Sequence, residues 1–183
     1  MGQQGARVDA HALTLTLEVA TPEHEATLQN LMQLYTHDFS EQWAGQARGE
    51  IGEDGRFPPY PWLPSYWTEP GCVALLLRVE GHIAGFALLN RHGHVEPDVD
   101  RNMAEFFVLR KHRRGGVGAA DVDAIFRRYP GRWETAVARK NAGALAFWRK
   151  VIGAHALVRD LEEIDMQTEA WNGPVLRYRV AMA

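Results

Sequence analysis

Between Ala104 and Phe126 the chain reads AEFFVLRKHRRGGVGAADVDAIF. An apolar run carrying one carboxylate, Glu105, meets the basic stretch Arg110-Lys111-His112-Arg113-Arg114. Gly115, Gly116 and Gly118 follow, and Ala119, Val122 and Phe126 then fall at helical spacing. Strand, glycine turn and helix in that order is the geometry for binding a phosphate group. Its physical use is to hold an anion. Unpaired backbone N–H groups and the positive end of the helix dipole point at the ligand. Glycine lets the backbone come close to it. Helix interiors disfavour glycine, so Gly116 and Gly118 call for such a reason.

Three glycine-turn chemistries compete. A mononucleotide P-loop needs Lys-Ser or Lys-Thr after its last glycine, and here Gly118 is followed by Ala119-Ala120. A dinucleotide turn needs a third glycine where Asp121 stands, inside a βαβ unit. The third is the pyrophosphate of coenzyme A.

The rest of the chain supplies the frame. Leu13–Val19 alternates as a strand. Thr21-Pro22-Glu23 starts a helix with Leu28, Leu31, Met32 and Tyr35 on one face. From Ser40 to Glu69 the periodicity dissolves into Gly and Pro, yet the segment carries Trp43, Phe57, Tyr60, Trp62, Tyr66 and Trp67. A long aromatic loop either binds something or pins itself to the core. Cys72–Val79 and His82–Asn90 read as a hairpin around Glu80-Gly81, and Met103–Leu109 as a third strand. The helix after the glycines stops at Pro130-Gly131, with a strand at Arg132–Val137. Asn141 caps a helix ending at Gly153. Strands near Ala154–Leu161 and Val175–Met182 flank an acidic segment. The order β-α-loop-β-β-β-α-β-α-β-β implies an α/β chain of the α+β kind: a mixed, mostly antiparallel sheet flanked by helices.

At 183 residues the chain is expected to form one domain over 13–183 behind a flexible leader at 1–12. A net charge of -3 argues against a general nucleic-acid binder. The single cysteine, Cys72, excludes a disulfide framework and a multi-cysteine zinc site. No apolar run approaches the length of a membrane span, and the start lacks an apolar signal core. A cytoplasmic location is the expectation.

Arg113-Arg114-Gly115-Gly116-Val117-Gly118 matches Arg/Gln-x-x-Gly-x-Gly, and Asn141 to Lys150 resembles Asn-x-x-Ala-x-x-Phe-Tyr-x-Lys. Both are signatures of the GCN5-related N-acetyltransferase (GNAT) superfamily, and the resemblance runs from about Met103 to Gly153. It implies a GNAT-like acyl-CoA N-acyltransferase fold using acetyl-CoA. Residue by residue, it implies that backbone N–H groups of Arg114, Gly115, Gly116, Val117, Gly118 and Ala119 cradle the pyrophosphate. Phe107, Val108 and Arg110 would lie along the pantetheine arm, as in strand addition. Asn141 would touch that arm, Phe147 and Lys150 would border the cofactor, and Lys111, Arg113 and Arg114 would add positive charge.

Acyl transfer to an amine needs a base and a donor for the developing oxyanion. The resemblance points to Glu105 as base or water positioner, its pKa raised by burial beside Phe106 and Phe107. The competing role for Glu105 is a structural pair with an arginine. The backbone N–H of Val108 is the expected oxyanion donor. One departure stands out: Trp148 occupies the place of the family's tyrosine, which protonates the leaving thiolate. An indole N–H donates a hydrogen bond but does not give up its proton usefully. Either no acid is needed, Trp148 shaping the pocket, or Tyr60 or Tyr66 substitutes. The same departure keeps open a non-catalytic acyl-CoA-binding sensor or interaction module.

In this family the acceptor side comes from the first helix-loop region and the last hairpin. That directs attention to Tyr35, Tyr60, Trp62 and Tyr66, and to Glu163 in the acidic segment Asp160–Trp171. A small-molecule amine is the expected substrate, a homodimer the expected alternative to a monomer, and neither nucleic acid nor membrane an expected partner. His92-Gly93-His94, with Glu96, Asp98 and Asp100 nearby, would suit a metal only if the loop brought the imidazoles together. The expectation is a solvated connection and no metal.

Overall fold

A computed structural model describes residues 14–43 and 45–183. The expected leader, and Leu13 at the start of the first expected strand, lie outside the described residues. The elements are β1 (Leu15–Val19), α1 (Glu25–Ser40), α2 (Ser65–Thr68), β2 (Val73–Val79), β3 (His82–Asn90), β4 (Arg101–Val108), α3 (Val117–Arg128), β5 (Gly131–Ala136), α4 (Ala142–Gly153), β6 (Val158–Gln167) and β7 (Asn172–Val180).

Seven strands form one sheet in the order β1-β2-β3-β4-β5-β7-β6. Every pairing is antiparallel except β4 with β5, which is the mixed sheet expected. The β2–β3 hairpin turns through Glu80 (φ 51°) and Gly81 (φ 76°), the left-handed pair that matches strand twist. α1 enters through a short 3₁₀ turn at Pro22–His24, where the His24 ring accepts the Thr21 N–H at 3.1 Å. Leu28, Leu31 and Met32 then pack one helix face on Leu76, Phe86, Leu88 and Phe107. α3 and α4 cover the opposite face over Leu75, Leu77, Leu89 and Trp133. No helix among the described residues is long and apolar enough to cross a membrane.

Two local features place the site. β4 carries a bulge: its register with β3 passes from Leu89↔Met103 to Leu88↔Glu105 and skips Ala104. One extra residue re-phases the side-chain alternation. Glu105 and Phe107 therefore point to the α1 face, while Phe106 and Val108 point to the other. Gly85 on β3 is required here, since a Cβ would fall 1.9 Å from the Phe107 carbonyl oxygen.

Two boundaries differ from the sequence reading. The acidic segment is not a connection but the body of β6, and β7 begins at Asn172 rather than Val175. The carboxylates there sit on an exposed edge strand, so apolar periodicity gave no sign of it. Ser40–Glu69 is also less irregular than expected: it holds 3₁₀ turns at Glu41–Trp43 and Ala47–Gly49 as well as α2.

Candidate active site

β4 and β5 pair only at Arg101↔Trp133 and Asn102↔Glu134, and beyond those residues they splay apart. Val108 opposes Gly85, and the next residue, Leu109, donates its N–H to the Ala84 carbonyl at 2.8 Å. That pattern marks Val108 and Gly85 as a non-hydrogen-bonded pair. The Val108 N–H and C=O consequently face the splay, as do those of Phe106 two residues earlier. The Val108 carbonyl accepts the Arg113 Nε–H at 2.6 Å. Phe107 does not fit the place expected for it along the cofactor arm. Its side chain is buried against Phe86 and Tyr35, and its backbone sits in the ladder with β3.

The glycine turn opens at the end of β4. Arg114 (φ 65°) and Gly116 (φ 85°) both take the left-handed conformation, and α3 starts at Val117. The N–H groups of Arg114 through Ala119 have no acceptor among the described residues; the first paired one is Ala120, bonded to the Gly116 carbonyl at 3.0 Å. Successive unpaired donors at a helix start form a concave anion site. Gly118 faces Phe147, whose ring would stand 3.4 Å from an added Cβ. The Val117 side chain is in the core, so only its backbone is available. These features fit a bound pyrophosphate.

The basic stretch is divided between two tasks. Arg110 and Arg113 are not turned toward the glycines: both guanidiniums grip Asp38 at the end of α1, at 2.6 and 2.5 Å. Burial alone would raise the Asp38 pKa, but these hydrogen bonds outweigh it and hold the carboxyl below its usual range. Lys111, Arg114 and, on α4, Lys150 are exposed and lie outside this clamp. Asn141 caps α4 by accepting the Ala144 N–H at 3.0 Å.

A cavity of about 710 Å³ runs from the α1 side, where Glu105 stands in its wall, through the splay to Asn141, Ala144 and Trp148. The Tyr35 hydroxyl donates to the Glu105 carboxylate, and Tyr60 supplies a second hydroxyl neighbour. No arginine among the described residues pairs with it directly. Burial pushes the Glu105 carboxyl up to about 7, while the hydroxyls of Tyr35 and Tyr60 and the charge of Arg48 pull it down. Tyr35 and Tyr60 are raised well above the usual phenol, by burial first and then by the carboxylate, so both stay protonated donors. Tyr66 is buried beside Tyr60 and Asn90, and burial raises its hydroxyl too. Trp62 stands at the mouth, 66% exposed. Trp148 lines the cavity edge-on to Phe106 at 5.2 Å, and Phe147 stacks on the same ring at 6.0 Å.

Glu163 is elsewhere. It forms a two-pronged pair with Arg149 at 2.8 and 2.5 Å and lines no part of the cavity. The two histidines diverge: His92 Nε2 meets Glu69 at 2.8 Å, and His94 packs on Trp171 at 4.5 Å. Glu96, Asp98 and Asp100 pair with Arg132, Arg91 and Arg132. Among the described residues, the one group with donor atoms close enough for a metal is Glu69, Cys72 and His92, all within 4.8 Å. There, burial and then Glu69 push the Cys72 thiol up to about 11, which keeps it protonated at neutral pH.

Sequence reasoning missed Asp38, Arg48, Trp171 and Glu134. Asp38 did leave a signal, since an acid in the last turn of a helix opposes the dipole and needs a cation from elsewhere. Glu134 is fully buried and accepts the N–H groups of His94, Val95 and Glu96 at 2.6, 3.1 and 2.9 Å. It thereby fixes the β3–β4 connection over the cavity.

Comparison with known proteins agrees with this geometry. The model of the acetyltransferase (GNAT) family matches residues 28–154. No curated protein sequence matches. An aminoglycoside acetyltransferase solved with coenzyme A and kanamycin superimposes with a TM-score of 0.59 at 14% identity, covering 90% of this chain and 93% of that one. An acetyltransferase from Thermus thermophilus gives 0.58 at 18%, covering 92% and 97%. A spermidine N-acetyltransferase chimera from Vibrio cholerae and hSSAT gives 0.54 at 10%, covering 91% and 94%. At these identities the structural likeness speaks to the fold.

Proposed function

Because this chain belongs to the acetyltransferase (GNAT) family, we propose that it is an N-acetyltransferase moving an acetyl group from acetyl-CoA to a primary amine bound in the Glu105 cavity. The observation that carries the reading is one carboxylate, held by tyrosine hydroxyls, in the wall of a cavity that continues into the splay of β4 and β5. Acetyl-CoA supplies the thioester: the C–N bond forms as the C–S bond breaks, and CoA leaves as its thiol or thiolate.

The chain's own groups divide the remaining work. The N–H groups of Arg114 to Ala119 hold the pyrophosphate, with Lys111, Arg114 and Lys150 adding charge around it. The edge of β4 at Phe106 and Val108 offers its backbone to the pantetheine arm. The Val108 N–H points where negative charge develops on the acyl oxygen. Arg113 fixes the strand end by tying the Val108 carbonyl to Asp38. Glu105, with a carboxyl pKa of about 7, takes the proton of the incoming ammonium directly or through a water. Trp148 closes the far wall, and departure of the thiolate needs no acid there, since a thiol pKa of about 8.5 makes a tolerable leaving group.

A second reading, an acyl-CoA sensor without turnover, draws on Trp148 alone. Thermal unfolding with acetyl-CoA, CoA and NADH, followed by CoA release with an amine panel, separates these cases. At about 100 times Kd a ligand adds roughly 2.7 kcal/mol, or several degrees at about 2–4 °C per kcal/mol. Acetyl-CoA and CoA should raise the melting temperature and NADH should not. CoA release with any amine excludes the sensor. No shift with either CoA species in folded protein sinks both readings.

A further inference from the structure

The cavity walls go beyond the reaction type to the kind of amine. Resting on the acetyl-transfer reading, we infer that the acceptor is a monoamine carrying a flat aromatic body, not a polycation. Aromatic rings reach the cavity from five separate parts of the chain: α1, the 41–67 segment, β4, α4 and the β6–β7 turn. Part of the 41–67 segment does pin itself to the core, through Phe57, Leu63 and Tyr66, all buried. Trp62 does not, since two thirds of it is exposed at the mouth. Trp43 lines the same cavity, stacked on Phe39 at 5.3 Å and 26°. Trp171 enters from the last turn, held against His94. Aromatic faces stack on a flat ligand and also attract an ammonium group.

Charge selects against a polyamine. The lining holds two carboxylates: Glu105, held by the Tyr35 hydroxyl, and Glu69, 40% exposed at its side chain and 2.8 Å from the His92 ring. Glu105 offers one ammonium a partner inside the cavity. Arg48 is the one arginine or lysine among the described lining residues, its guanidinium 4.4 Å over the Trp43 ring. It would meet a second cation with repulsion. Three further acids are paired with arginines: Asp38 with Arg110 and Arg113, Glu163 with Arg149, and Asp165 with Arg139.

The test compares CoA release with 2-phenylethylamine and tryptamine against spermidine and kanamycin, with butylamine as the apolar control lacking a ring. The arylalkylamines should exceed both polyamines in kcat/KM by about 100-fold, the discrimination expected when a buried cation lacks its partner. Trp62→Ala should raise KM for 2-phenylethylamine about 10-fold more than it raises that for butylamine, through lost ring contact. Arg48→Gln should raise polyamine turnover. Binding of the same amines to the CoA complex, followed by tryptophan fluorescence, keeps the two claims apart. Arylalkylamine binding without CoA release supports the ligand class and overturns the reaction. Spermidine or kanamycin acetylated as well as the arylalkylamines overturns the ligand class and leaves the reaction standing. Arylalkylamines that neither bind nor react overturn the class.

Discussion

The cavity wall at Glu105 and the seam beneath α3 at Asp121 each bury a carboxyl group, and they treat it differently. Glu105 has the Tyr35 hydroxyl donating to it, Tyr60 beside it and an opening toward a cavity. Asp121 is 1% exposed, and neither of its carboxylate oxygens has a hydrogen-bond partner among the described residues. Burial lifts both, Glu105 to about 7 and Asp121 to about 6. At Glu105 the lift is moderated by donors and yields a group that exchanges protons near neutrality. At Asp121 nothing moderates it, and the lift is a cost to the fold. On the proposed reading the same desolvation serves chemistry in one place and burdens stability in the other, and the difference is the partner set.

The sharpest attempt to break the comparison is Glu105→Gln. Loss of a general base costs about 100-fold or more, so kcat/KM should fall by at least that at pH 7 to 8. The wild-type profile should rise with pH through about 7, since the base works deprotonated. That limb should vanish in the variant. Unchanged kcat/KM across the range would remove Glu105 from the chemistry.

Asp121→Asn probes the other side. The folded-state pKa of Asp121 lies above its usual 3.8, at about 6, so the folded chain holds this proton more tightly than the unfolded chain. The stability linked to it is fully present below 3.8 and is lost as pH rises through about 6. The neutral amide avoids that loss. At pH 8 the variant should be more stable by about 1–3 kcal/mol, since each pKa unit between the folded and unfolded chain is worth about 1.4 kcal/mol, and the advantage should disappear at pH 4. Urea unfolding at both pH values measures it. Equal stabilisation at both pH values would mean the carboxylate is not the burden proposed.

The smallest change is expected for Tyr35→Phe, which moves Glu105 part of the way toward the Asp121 condition. The tyrosine hydrogen bond lowers the Glu105 pKa, so its removal should move the acid limb of the rate profile upward by about one pH unit, the worth of a hydrogen bond to a charged group. At pH 9 the rate should nearly recover. A limb that stays in place would show that Tyr60 alone holds the carboxylate.

Much of the cofactor side was legible in the chain. Gly116 and Gly118 are consecutive in sequence with the strand and helix they join, and the Asn141 cap needs only its own helix, so local rules suffice. The acceptor side was legible in composition but not in arrangement. Tyr35 shows in the sequence as one more residue on an apolar helix face, and its contact with Glu105 spans 70 residues. Arg113 reads as a phosphate ligand until Asp38 claims it from 75 residues away. Glu163 and its neighbours read as an acidic segment between two strands and as acceptor candidates, because an exposed edge strand carries no apolar period. The Ala104 bulge leaves no mark in the sequence, yet it decides which face Glu105 occupies.

What the sequence determined by itself is what short-range sterics and donor geometry dictate: a strand, a left-handed glycine turn and a helix whose first N–H groups stay unpaired. Only the tertiary structure decided which cation meets which anion and which rings share a cavity. Those choices follow from competition among groups far apart in the chain, and desolvation, which sets their strength, exists only once the faces of the sheet are covered.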